Sequence, residues 1–271
     1  TIPIKLLTEG MPREFCERFA ITHFFNPVRF MRLLELVRGE HTKNDVVDTL
    51  AIFSELQLGK GVVLCADTPG FLANRVGVFA IQCALHNAFD LGLAPTEADA
   101  FFGRPLGFPK TGVFGLYDLI GIDLMVDVVK SLVNILPAND AFHQYSAPID
   151  FMTNMISNGQ TGNKNNKGFY RDDGEERQVI SLVNGDYIPY ERLRAPLVEK
   201  AEREGISTLL NDNGRFGLYV WRALSETLCY AASLVPEVTE DLTQIDDAMK
   251  LGYNWVKGPF ELLDEIGVEY F

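Results

Sequence analysis

Apolar positions along the chain change their period near residue 70. Before it they fall in short runs bounded by Gly, Pro or charged residues: Ile2, Ile4 and Leu6 alternate, Thr22-His23-Phe24-Phe25 ends in Asn26-Pro27, and Leu33-Leu34-Glu35-Leu36-Val37 and Gly61-Val62-Val63-Leu64-Cys65 are almost unbroken. Runs of this kind predict strands over 1–7, around His23, over 32–37 and over 61–65. Between the last two, Thr42 with Asp45 three residues on resembles a capping box. Val46, Val47, Leu50 and Phe53 then give a helix its buried face, and Gly59 suits its stop.

Beyond Gly70 the period becomes helical. A long helix is predicted over 71–91, closed by Gly92, and another begins at Thr96 and Asp99. Residues 103–110 read as a Gly/Pro loop, 112–121 as a short helix between glycines, and 124–136 as a helix capped by Asp123 and stopped by Pro137. Residues 158–173 hold Gly159, Gly162, Gly168 and four asparagines, too little apolar surface to pack as an element, so they read as a linker or loop tip. Helices are expected again over 215–234, from 239 onward and over 258–267. The decamers 112–121 and 258–267, 146 residues apart, match at Gly, Phe, Leu, Asp, Ile and Gly. That agreement points to a duplicated helical unit.

Two residues in the first part carry candidate chemistry. Pro27 biases Asn26 toward an extended backbone, which places His23 where a strand meets a loop. Glu35, twelve residues later, lies in a run apolar enough to be buried, and a buried carboxylate needs a partner. Paired with His23 it makes a general-base arrangement, in which the acid fixes the imidazole tautomer. Taken alone, the two residues better suit a core histidine near a strand end and a carboxylate paired with Arg32.

Composition narrows the classes. At 271 residues, 47% hydrophobic and 23% charged, the chain has core material for one large or two ordinary domains. A formal net charge of −13 argues against nucleic acid or an anionic membrane surface as partner. An anionic substrate is still compatible, since Arg29, Arg32, Arg38, Arg75 and Arg104 lie in or near the motif half. Cys16, Cys65, Cys83 and Cys229 form no Cys-x-x-Cys pair and suit reduced thiols, the four histidines are too scattered for a metal site, and no apolar stretch is long enough for membrane insertion.

His23-Phe24-Phe25-Asn26-Pro27, Glu35 twelve residues after the histidine, and Asp67-Thr68-Pro69-Gly70-Phe71-Leu72-Ala73-Asn74-Arg75 together resemble the L-3-hydroxyacyl-CoA dehydrogenase family. The resemblance implies that His23 is the base removing the 3-hydroxyl proton as hydride passes to NAD and that Glu35 orients it. It also implies cofactor contact at Asn26 and substrate contact at Asn74. The implied fold is mainly α with an N-terminal α/β remnant: the last strands of a Rossmann-type NAD-binding domain over 1–66, a helical C-terminal domain over 67–171, a linker over 172–194, and a second helical repeat over 195–271, cut short. Both repeats would be of the 6-phosphogluconate-dehydrogenase C-terminal type. Tandem repeats resemble the multifunctional fatty-acid-oxidation members.

Gly59 and Gly61 have no glycine at 64, so the Gly-x-Gly-x-x-Gly turn is not found in this stretch. The family's catalytic serine, about twenty residues before the histidine, would fall at or before Thr1. The expected activity is oxidation of L-3-hydroxyacyl-CoA to 3-oxoacyl-CoA in fatty-acid β-oxidation, with the fragment inactive alone. Expected partners are an acyl-CoA thioester, a homodimer mate, and a fused or associated hydratase. The expected location is cytoplasmic, of bacterial type, with mitochondrial and peroxisomal forms left open. Two competing readings are a non-catalytic helical association module and a related dehydrogenase of a small hydroxy acid or sugar acid.

Overall fold

The computed structural model describes residues 2–174, 176–193 and 195–271. The chain is mainly helical with two small sheets, and it forms two compact units, Thr1–Val78 with Thr227–Phe271, and Phe79–Glu226.

In the first unit β1 (Ala20–Phe24), β2 (Leu33–Arg38) and β3 (Gly61–Ala66) form one sheet in that order, β1 antiparallel to β2 and β2 parallel to β3. The parallel pair needs a crossover, which α3 (Asn44–Leu56) supplies. Because side chains alternate across a strand, Leu34 and Leu36 point to one face and pack with Val47, Leu50 and Ala51 of α3. Leu33, Glu35 and Val37 therefore point to the other. That second face is approached by α12 (Leu242–Tyr253), where Gly252 lies so close to Leu33 that a Cβ would sit 2.6 Å from Leu33 Cδ2.

Three expectations near the N-terminus are corrected. Residue 1 lies outside the described residues, and residues 2–7 do not form the expected strand: α1 (Ile4–Leu7) follows Pro3, and the Ile4 amide donates to Asp67 Oδ2 at 2.8 Å. A second short helix, α2 (Arg13–Cys16), precedes β1. The Thr42 hydroxyl does not cap α3. It accepts from the Gly39 amide and donates to the Phe19 carbonyl, tying the turn after β2 to the chain before β1. On α3, Phe53 is exposed and Ser54 takes the buried position.

The long helix α4 (Ala73–Asp90) passes from the first unit into the second, and α11 (Arg215–Ser233) returns. Between them lie α5 (Pro95–Phe101), α6 (Phe114–Ile120), α7 (Ile122–Ile135), α8 (Asp150–Ser157), α9 (Pro196–Glu204) and α10 (Ser207–Leu210). Asp123 stands inside the first turn of α7 and pairs with Lys164 instead of capping the helix. The stretch 158–173 does pack: Phe169 is fully buried, and Asp118 on α6 accepts from the Phe169 and Tyr170 amides at 2.8 and 2.7 Å. Gly168 allows this approach, since a Cβ there would lie 2.0 Å from Asp118 Oδ1. The antiparallel sheet of β4 (Tyr170–Asp172), β5 (Arg177–Ile180) and β6 (Tyr187–Pro189) occupies residues expected as linker.

One local device occurs in each unit. In the second, Asp99 accepts the amides of Phe114 and Gly115 at the start of α6, and a Cβ on Gly112 would lie 2.4 Å from Asp99 Cα. In the first, Asp246 accepts the Phe260 amide at the start of α13 (Pro259–Ile266), and a Cβ on Gly258 would lie 2.2 Å from Asp246 Cα. A carboxylate thus satisfies otherwise open helix amides, and a glycine lets the backbones touch.

Burial pushes Asp99 up to about 7 and Asp118 up to about 6. An aspartate that holds its proton more tightly folded than unfolded stabilises the fold below about pH 4, and that contribution is lost as pH rises through 6 to 7. Burial lowers His86, which works in the opposite sense, so the useful comparison is with Asp99→Asn. In urea unfolding the midpoint difference should move in favour of the variant between pH 5 and 8, by at most about 1.4 kcal/mol per pH unit. A difference constant across that range would contradict the assignment.

Candidate active site

The register of β1 on β2 sets His23 directly opposite Glu35, so both side chains stand on the same face. His23 Nδ1 lies 2.6 Å from Glu35 Oε2. The carboxylate is wholly buried, whereas the imidazole side chain is 31% exposed. Glu35 Oε1 accepts two more hydrogen bonds, from the amides of Leu72 at 3.0 Å and Ala73 at 2.7 Å. These amides open α4 and have no partner within the helix, and the helix N-terminus favours negative charge. A carboxylate that would be expensive to bury is thereby matched by three donors. Arg32 is not among its partners.

The chain reaches this position through a tight turn. Gly70 and Phe71 both take left-handed backbone, with φ of +81° and +53°. Glycine does so freely, but phenylalanine pays on the order of 1 kcal/mol. The Phe71 ring packs 5.5 Å from the imidazole, and the Phe25 ring meets it edge-on at 5.2 Å. After β1 the loop is held by Lys60, whose ammonium donates to the carbonyls of Val28 and Met31.

His23 and Glu35 are therefore brought together. Asn74 lies half-buried in the first turn of α4, next to the amides that hold Glu35, and Asn26 is exposed two residues past β1. Arg75 is not available to an anionic substrate: it is buried, with Nη1 2.8 Å from Glu237 and Nε donating to the Tyr230 hydroxyl at 3.2 Å. Sequence reasoning missed this use of Arg75 and the parts played by Phe71 and the two amides. Backbone donors leave no composition signal, although the Pro69-Gly70 pair before a helical pattern marks the turn.

Comparison with known proteins gives the family. The model described as 3-hydroxyacyl-CoA dehydrogenase, NAD binding domain, matches residues 1–68, and that of the 3-hydroxyacyl-CoA dehydrogenase C-terminal domain matches residues 70–172 and 217–271. The chain belongs to the 3-hydroxyacyl-CoA dehydrogenase family. A putative fatty acid oxidation complex trifunctional enzyme of Rickettsia prowazekii is 39% identical over 97% of this chain and 36% of its own length. A probable 3-hydroxyacyl-CoA dehydrogenase of Bacillus subtilis is 32% identical over 99% of this chain and 34% of its own. The chain thus spans about a third of the length of these relatives. The crystal structure of Escherichia coli 3-hydroxybutyryl-CoA dehydrogenase superposes with a TM-score of 0.71 at 22% identity, over all of this chain and 68% of that one, a likeness of fold.

Asn26, the residue expected to contact a dinucleotide, is exposed three positions after His23. A pyrophosphate cradle is another matter. Among the described residues no glycine-rich turn joins a strand to a helix N-terminus, and at Gly61 the space of a Cβ is filled by Leu251 Cδ1 at 2.4 Å.

For this family member, Glu35→Ala should cost about 2–4 kcal/mol in urea unfolding, because it strands two buried amides and an imidazole nitrogen. His23→Ala leaves Glu35 its two amide donors and opens Oε2 to water at a partly exposed position, so it should cost less, about 1–2 kcal/mol. Equal losses for the two variants would show that Glu35 is not the anchor.

Proposed function

We propose that the protein is an NAD-dependent 3-hydroxyacyl-CoA dehydrogenase, oxidising L-3-hydroxyacyl-CoA to 3-oxoacyl-CoA in fatty-acid β-oxidation. The observation that carries this reading is the His23–Glu35 pair, its carboxylate pinned to the amides that open the helix of Asn74. With Nδ1–H donated to Glu35, the ring's lone pair lies on Nε2, the tautomer needed to accept the 3-hydroxyl proton. Glu35 steadies the imidazolium that forms. In the reverse direction His23 returns the proton to the nascent alkoxide. Asn74 supplies an amide donor to the oxygen on which charge develops, and Asn26 faces the cofactor. NAD, when bound, takes the hydride from C3.

The repeated Asp–Gly device and the two matching decamers support a tandem helical duplication, with boundaries near 67–171 and 195–271 after a nucleotide-binding portion over 1–66. Names of relatives such as the trifunctional enzyme support fusion to, or association with, a hydratase that makes the 3-hydroxyacyl thioester, and a homodimer is also compatible. Among the described residues no helix is long and apolar enough to cross a membrane, and a cytoplasmic site belongs to the same reading.

In the intact enzyme His23→Ala should lower kcat about 10²–10⁴-fold with a smaller change in KM, followed by NADH absorbance with 3-hydroxybutyryl-CoA. A kcat within about threefold of the parent would remove His23 from the base role. Calorimetric titration of residues 1–271 with NADH should give no micromolar binding, since the described residues carry no pyrophosphate cradle. Micromolar affinity would show that another part of the stretch holds the phosphates.

A further inference from the structure

Tyr253, the last residue of α12, reaches the His23 site through two glycines. Gly252 has no Cβ where Leu33 and the Phe25 ring lie, at 2.6 and 3.5 Å from such an atom, so α12 can end against the sheet. Asn254 then takes left-handed backbone at φ +55° and turns the chain away. Gly77 lies within α4, where glycine costs roughly 0.5–1 kcal/mol relative to alanine. Its space is occupied by Tyr253: a Cβ on residue 77 would be 2.0 Å from Tyr253 Cζ and 2.5 Å from its Oη. Gly77 is three residues after Asn74, which puts both on one face of the helix. The Tyr253 ring also meets Phe25 edge-on at 6.0 Å, and Phe25 in turn meets His23.

The ring alone accounts for the packing, and phenylalanine would fill that space equally well. The hydroxyl is the part left for a ligand: it makes no hydrogen bond within the described residues, and Tyr253 is only half-buried. With no protein partner on a half-buried side chain, the hydroxyl is open to a hydrogen bond from outside the chain, which a ligand in the cleft can accept. Burial and the nearby Glu35 carboxylate both raise its phenol above the ordinary range, so it serves as a neutral donor. On the dehydrogenase reading Asn74 binds the C3 oxygen, and Tyr253 stands over the next turn of α4, at Gly77. In a 3-hydroxyacyl thioester the oxygen two carbons along from C3 is the thioester carbonyl.

We infer that the Tyr253 hydroxyl donates a hydrogen bond to the thioester carbonyl of the acyl substrate, making the second helical repeat a direct contributor to substrate recognition. This rests on the dehydrogenase reading of the site. Tyr253→Phe keeps the ring on Gly77 and removes only the donor. Titration of the intact protein with 3-hydroxybutyryl-CoA should give a Kd raised about 3- to 10-fold in Tyr253→Phe, with CoA itself bound alike by both and the thermal midpoint not lowered. In turnover the same variant should show the change in KM and little in kcat. Equal affinity of parent and variant for 3-hydroxybutyryl-CoA would overturn the inference while leaving the dehydrogenase reading in place. A parent that binds 3-hydroxybutyryl-CoA no better than CoA would overturn that reading, and the inference with it.

Discussion

A carboxylate with no exposure to solvent organises the first unit. Glu35 sits in the central strand of a three-stranded sheet, and its two oxygens are claimed from different directions, one by the imidazole of the neighbouring strand, the other by the first amides of α4. Leaving water costs such a group several kcal/mol, and only donors already fixed in place offset that cost. Strand, turn and helix are thereby tied to one another. The left-handed backbone at Phe71 is a consequence, since the chain must turn sharply enough to aim two successive amides at one oxygen.

Glycine acts in the same economical way elsewhere, at sites where backbone or ring must come closer than a Cβ permits. Gly112 and Gly258 let helix starts rest on Asp99 and Asp246, Gly168 lets the chain close on Asp118, and Gly77 with Gly252 admits Tyr253 against Phe25, which meets His23. In four of these cases the group approached is an aspartate or a tyrosine instead of an aliphatic side chain. Close approach here serves the placement of polar atoms. Arg75 makes a related point: beside the motif's asparagine, it is buried against Glu237 and Tyr230, and so holds the start of α4 to the segment after α11.

Much of this was legible in the chain. Periodicity separated the strand-forming first part from the helical remainder, glycines and prolines marked most boundaries, and the two decamers fell on α6 and α13, each between glycines. His23 at a strand end and Glu35 inside an apolar run were visible as a candidate pair because a buried acid demands a donor. Failures have a common cause. Ile2, Ile4 and Leu6 alternate as a strand does, but a strand also needs an edge to pair with, and here the Ile4 amide is taken by the Asp67 carboxylate just after β3 while Ile4–Leu7 closes into a helical turn. Thr42 and Asp45 have the spacing of a capping box, yet the hydroxyl found stronger tertiary partners in Gly39 and Phe19. Residues 158–173 looked too polar to pack because the carboxylate that satisfies their amides stands some fifty positions earlier.

By itself, then, the sequence determined the local conformational menu, the presence of one acid and one base within strand reach, and the likeness that names the family. The tertiary structure alone decided the register that sets residue 23 opposite 35, the two amides that make burial of Glu35 tolerable, and the arrival of Tyr253 from the far end of the chain. Register and long-range contact depend on which surfaces meet, and a side-chain pattern of period two or 3.6 reports only which face of an element is apolar. Backbone donors add nothing to that pattern at all, since every residue but proline carries one, and only the fold selects which of them will face a carboxylate.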